Sequence, residues 1–102
     1  MNTVDVSGIK LFQLRAFVAA ADSGSFGKAA LDLDMTQSAI SYAIGALEDE
    51  LGVVLFSRGR KGATLTPVGQ EMIGNARQIL QHLKQLGKVA ETARGLETGR
   101  VR

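Results

Sequence analysis

Apolar residues at Leu11, Leu14, Phe17, Val18 and Ala21 recur three and four apart, the spacing of a helix with one buried side. Asp22-Ser23-Gly24 closes that helix, and Gly24 suits a left-handed cap. Ser25 can cap a short second helix whose inner side is Phe26, Ala29, Ala30 and Leu33, with the two alanines leaving room for close approach. After Asp34-Met35, Thr36 is the natural cap of a third helix with the stripe Ile40, Ala43, Ile44, Leu47 and Leu51, stopped by Gly52. The other side of this helix, Gln37, Ser38, Ser41, Tyr42 and Gly45, is polar without being charged. Two helices joined by a short turn, the second with a hydrogen-bonding face, form the helix-turn-helix pattern.

Beyond Gly52 the period changes. Val53-Val54-Leu55-Phe56 is short and rich in β formers, and it pairs by pattern with Ala63-Thr64-Leu65 around the loop Arg58-Gly59-Arg60-Lys61-Gly62. A hairpin with a basic tip is the expected result. Thr66-Pro67 then opens a long helix, a capping hydroxyl followed by proline in the first helical position. Its apolar and small positions Met72, Ala76, Ile79, Leu83, Leu86, Ala90 and Ala93 are spaced alternately four and three, a heptad seam. A domain this small is not expected to cover such a stripe from within, so the seam predicts pairing with a second copy. Gly74 and Gly87 weaken the helix by about 1 kcal/mol each, which that pairing must offset.

Length and composition narrow the classes. At 102 residues, 45% apolar and 22% charged, the chain is one globular domain with at most an appendage. Residues 1–8 form a short tail, and neither a signal segment nor an apolar run long enough to cross a membrane is present. No cysteine and a single histidine (His82) exclude a disulfide scaffold, a zinc knuckle and a Cys nucleophile. No catalytic constellation and no metal or cofactor site is expected. Glu48-Asp49-Glu50, at a helix C-terminus, reads as a solvated or wing-paired cluster rather than a metal site.

Charge changes the picture more. The net charge of +2 averages two unlike halves: residues 1–56 carry three bases against seven acids, net −4, and residues 57–102 nine against three, net +6. That polarity suggests a localised anionic partner.

In this order the signals resemble the N-terminal winged helix-turn-helix of the LysR-type transcriptional regulators of bacteria. The resemblance rests on Leu14-Arg15-Ala16-Phe17, Gly24-Ser25-Phe26 with Ala29-Ala30, and Thr36-Gln37-Ser38-Ala39-Ile40-Ser41. It continues through Ile44, Leu47-Glu48, Leu51-Gly52, Leu55-Phe56, Arg58, Leu65-Thr66-Pro67 and Gly69, and so covers about residues 9–80. It implies a mainly α fold of three helices and a two-stranded wing over 9–66, with the helix-turn-helix at about 26–51 and the wing at about 53–66. It further implies a linker and dimerisation helix at 67–95. Leu96-Glu97-Thr98-Gly99-Arg100-Val101-Arg102 is similar to the strand that opens the family's effector-binding domain, so the chain reads as part of a longer cytoplasmic regulator. A natural single-domain protein is the alternative. A homodimer on double-stranded DNA is the implied assembly, with a tetramer open for the intact protein and a small-molecule inducer bound only by the missing domain.

The expected DNA contacts follow from chemistry. A helix fits the major groove, where the Gln37 amide can pair with adenine N6 and N7 and Ser38 and Ser41 can bond bases or phosphates. Thr36, Ser25 and Thr66 cap helices and can add a phosphate contact. Tyr42 can meet a thymine methyl or a phosphate, or pack toward the second helix. Arg58 reaches a phosphate or pairs with Glu48. Arg60 and Lys61 enter a minor groove and favour A·T-rich DNA. Many relatives carry proline where Ser38 stands and a basic or amide residue where Tyr42 stands. Without a cation between Gln37 and Leu47, a bidentate arginine–guanine contact is unavailable to this helix. Two other readings stay open: a winged helix like that of the molybdate-responsive regulators, and a winged helix used only for protein association.

Overall fold

The computed structural model describes residues 3–59 and 62–97, apart from the side chains of Arg58, Leu96 and Glu97. Four helices and a two-stranded wing follow in the order α1 (Leu11–Ser23), α2 (Phe26–Asp32), α3 (Gln37–Leu51), β1 (Phe56–Gly59), β2 (Gly62–Leu65) and α4 (Pro67–Glu97). The fold is the expected mainly α winged helix-turn-helix.

Local chemistry sets the ends of the helices. The backbone N–H of Lys28 donates to Ser25 Oγ and that of Ala39 to Thr36 Oγ1, each at 3.0 Å, so both hydroxyls satisfy an otherwise orphaned helical donor. Gly24 and Gly52 are left-handed caps that close α1 and α3. Between α2 and α3 the chain reverses at Asp34, a residue type that tolerates its φ of +57°, and Met35 N–H donates to the Ala30 carbonyl at 2.8 Å.

Phe17, Ile40, Ile44, Leu47 and Leu55 fill the centre, and Ala16, Ala20, Ala29 and Ala43 bring α1, α2 and α3 close around them. Phe56 joins the wing to this core. Its ring meets Phe17 edge-on at 5.8 Å and Phe26 edge-on at 5.4 Å, arrangements favoured by the aromatic quadrupole. Residues 3–8 do not trail freely: Asp5 Oδ1 accepts from both the N–H and the Oγ of Ser7, and Val6 and Ile9 close a turn.

Several expectations need correction or sharpening. The first strand begins at Phe56 rather than Val53, because Leu55 is claimed by the core while Val54 faces solvent. The antiparallel register runs from Phe56↔Leu65 to Gly59↔Gly62, which makes 60–61 the two residues at the tip. Of the two expected readings of Glu48, the wing-paired one holds, through the backbone: its Oε2 accepts from the N–H groups of Leu55 and Phe56 at 2.8 and 3.4 Å. It thus satisfies backbone donors that the ladder, starting only at Phe56, leaves unpaired. Removing this acceptor from partly buried donors costs about 1–3 kcal/mol, so Glu48→Ala should lower the unfolding midpoint. A midpoint equal to that of Asp49→Ala, a change at an exposed neighbour, would sink this role.

Other corrections concern α4. Ala76, assigned to a dimer seam by its spacing, is 3% exposed and sits in the domain's own core, with Met72, Ile73 and Leu80 packed beside it. The start of the seam, at Met72 and Ala76, is therefore intramolecular. An ion pair between Arg77 Nη1 and Asp22 Oδ1 at 2.8 Å links the first half of α4 to α1. The second half is different: from Lys84 to Arg94 every residue is exposed. Leu96 and Glu97 continue the helix instead of starting a strand, and residues 98–102 lie outside the described residues.

Candidate nucleic-acid interface

The helical period places Gln37, Ser38, Ser41, Tyr42 and Gly45 on one arc of α3, opposite Ile40, Ala43, Ile44 and Leu47, which are buried. Gln37 and Ser38 are exposed, Ser41 is half-buried, and Tyr42 is 80% exposed, which excludes its packing against α2. Nothing lies within 4 Å of where a Gly45 side chain would begin, so the surface there is open. Exposed Asp49 stands one turn beyond Gly45 on the same arc. A carboxylate there repels phosphate, so the first three turns of α3 carry the usable face.

A cleft of about 320 Å³ adjoins this face, lined by Ser25, Phe26, Gly27, Gln37, Ser41, Gly59, Gly62 and Ala63. It brings together residues the sequence places far apart: the start of α2, the first turns of α3 and the distal ends of both wing strands. Ser25 is thereby next to Gln37 and Ser41, and its Oγ caps α2 by accepting from the Lys28 N–H. The wing is held in place by a hydrogen bond from Ala63 N–H to the Gly24 carbonyl at 3.2 Å. Gly62 has φ +108°, and a Cβ there would stand 2.6 Å from the same carbonyl oxygen. Only glycine fits both constraints.

Thr66 is not part of this cleft. It lies at the base of the wing, where Oγ1 donates to the Val54 carbonyl at 2.6 Å and accepts from Gly69 N–H at 3.0 Å. A phosphate oxygen needs a donor, and this hydroxyl proton is already committed. Thr66 is therefore a structural cap, and its expected phosphate contact is withdrawn. The Arg58 side chain, Arg60 and Lys61 lie outside the described residues, although Gly59 and Gly62 fix the chain positions between which the two tip cations stand. The sequence reading missed Gly27 and the Gly24 carbonyl. Gly24 was legible only as a helix cap, and nothing local marks Gly27.

Residues 11–70 match the family model of the bacterial regulatory helix-turn-helix proteins, lysR family. The chain belongs to the LysR family. A probable HTH-type transcriptional regulator, LrrA of Synechococcus elongatus, is 45% identical over 94 residues, covering 92% of this chain and 32% of that protein. The chain spans about a third of the length of the curated relatives it matches. The DNA-binding domain of CbnR, solved as a DNA complex, aligns with a TM-score of 0.78 at 35% identity, covering 83% of this chain and 98% of that one. That of BenM, solved on benA site 1 DNA, gives 0.78 at 34% identity, covering 83% and 96%. This chain is a LysR-family helix-turn-helix DNA-binding domain, and its relatives are transcriptional regulators rather than enzymes. Among the described residues no helix is long and apolar enough to cross a membrane.

Proposed function

We propose that this LysR-family domain reads operator DNA as a homodimer, with the first turns of α3 in the major groove and the basic wing tip in the adjacent minor groove. The observation that carries this reading is the joining of an exposed, uncharged hydrogen-bonding arc on α3 to the wing in one cleft. Amides and hydroxyls on the arc suit base edges, and Arg58, Arg60 and Lys61 on the wing suit phosphates and a narrow groove. A half-exposed helix face would serve protein association equally well. An arc that is polar along its usable length and flanked by three cations on β1 and the wing tip favours DNA.

The dimer rests on α4. The exposed apolar side of α4 runs from Ile79 through Leu86, Val89, Ala90 and Ala93, with Leu83 at its edge. Val89 joins this stripe although it lies off the strict heptad. A helix exposed on all sides over eleven residues is marginal alone, and a partner helix supplies the missing burial. In the intact cytoplasmic regulator the same helix leads to a domain that senses a small-molecule effector, and a tetramer can form there.

Gln37→Ala tests the readout. Losing an amide paired to a base edge should remove about 1–3 kcal/mol of discrimination at one position of the site while leaving affinity for random DNA nearly unchanged. Competition binding between a selected sequence and random duplex measures this. Equal losses on both would assign Gln37 to the backbone and refute base readout.

A further inference from the structure

Gly27 lies in the first turn of α2, directly beneath the cleft that holds Gln37. A Cβ built on Gly27 would stand 3.4 Å from Gln37 Oε1 and 3.5 Å from Ser25 Oγ, the nearest atoms beyond its chain neighbours and the backbone of its own helix. The Gln37 amide therefore folds over the start of α2 and occupies ground that a larger side chain at position 27 would claim. We propose that Gly27 is a positioning residue for sequence readout, setting the pose in which Gln37 meets the bases. The inference rests on Gln37 being a reader and adds what determines its pose.

The geometry separates two substitutions. An alanine methyl at 3.4 Å is in ordinary contact with the amide and leaves it in place. A valine adds two branches on a stiff χ1 and contests the space. Neither change threatens α2 through its backbone, because Gly27 has no left-handed φ and both alanine and valine have a higher helix propensity than glycine. A purely steric role against the DNA backbone would weaken all sequences alike. A positioning role acts only through Gln37.

Base preference should be measured by selection from a random duplex pool and by competition for four chains: the parent, Gly27→Val, Gln37→Ala and the double variant, with Gly27→Ala as the conservative control. We expect Gly27→Val to change preference about five- to tenfold at the position whose readout Gln37→Ala abolishes. We expect Gly27→Ala to keep the parental preference and Gly27→Val to add nothing in the Gln37→Ala background. A Gly27→Val chain with parental preference, or one whose effect persists unchanged without the Gln37 amide, overturns the positioning role while leaving Gln37 a reader. If Gln37→Ala itself leaves every preference intact, the base readout fails first and this inference falls with it. Melting temperatures near the parent's should accompany the expected result.

Discussion

Leu86→Glu should leave a folded monomer that binds paired half-sites at least about a hundredfold more weakly than the parent chain, with affinity for a single half-site unchanged. Linking two reading heads makes the second contact intramolecular and raises avidity by 10²–10⁴, so that gain is what a monomer forfeits. Leu86 is 66% exposed, between Ile79 at 46% and Val89 at 68%, so it contributes nothing to the core of its own domain. Glutamate is a good helix former, and the monomer keeps its structure. In a two-fold symmetric pair the carboxylate enters the contact twice, unpaired each time. Sedimentation equilibrium at tens of micromolar, with binding to single and paired half-sites, checks both parts. A parent chain that is already monomeric, or a Leu86→Glu chain that still dimerises, removes the dimer from this reading. Ala76→Glu provides the contrast. That position is buried within the domain, so charge there should unfold the winged helix rather than merely separate two copies.

The difference between Ala76 and Leu86 marks where sequence reading stops. Spacing of four and three is the signature of any helix buried along one stripe, and it does not say whether the partner is the same domain or a second copy. Here the seam begins in the domain's own core at Ala76 and turns to open solvent near Leu83. What was legible was local: as caps, the hydroxyls of Ser25, Thr36 and Thr66 and the left-handed turns at Gly24 and Gly52 each bond within four residues of their own position. The exposed arc of α3 was legible for the same reason, since period alone separates Gln37, Ser41 and Tyr42 from Ile40 and Ile44. Contacts between distant segments were not. Val53-Val54-Leu55 has the composition of a strand, yet the need for Leu55 in the core and the reach of Glu48 to its N–H delay the ladder to Phe56. Likewise Gln37 looked like a free side chain, and only the fold places it over Gly27.

Gly62→Ala is the second large effect, and it acts on stability and binding together. At φ +108° an L-residue is strained by about 1–3 kcal/mol. In addition its Cβ would meet the Gly24 carbonyl oxygen at 2.6 Å, a backbone atom that cannot swing aside as a side chain could. Relief requires β2 to move away from the α1–α2 turn, which breaks the bond from Ala63 N–H to that same oxygen and frees the wing from the recognition face. The melting temperature should fall. At a temperature where the helices remain folded, affinity should drop on specific and random DNA alike. The log–log salt dependence should flatten by about two units as Arg60 and Lys61 lose their phosphates, each contact contributing about 0.9. Arg60→Ala with Lys61→Ala should flatten the slope equally without lowering the melting temperature, because it removes the charges and leaves the docking intact. Gly59→Ala is the matched control across the tip: nothing lies within 4 Å of its missing Cβ, so both measurements should stay near the parent's. If Gly62→Ala melts and binds as Gly59→Ala does, the wing is not held by the Gly24 carbonyl. If the charge-removal variant keeps the parental slope, the tip does not contact phosphate.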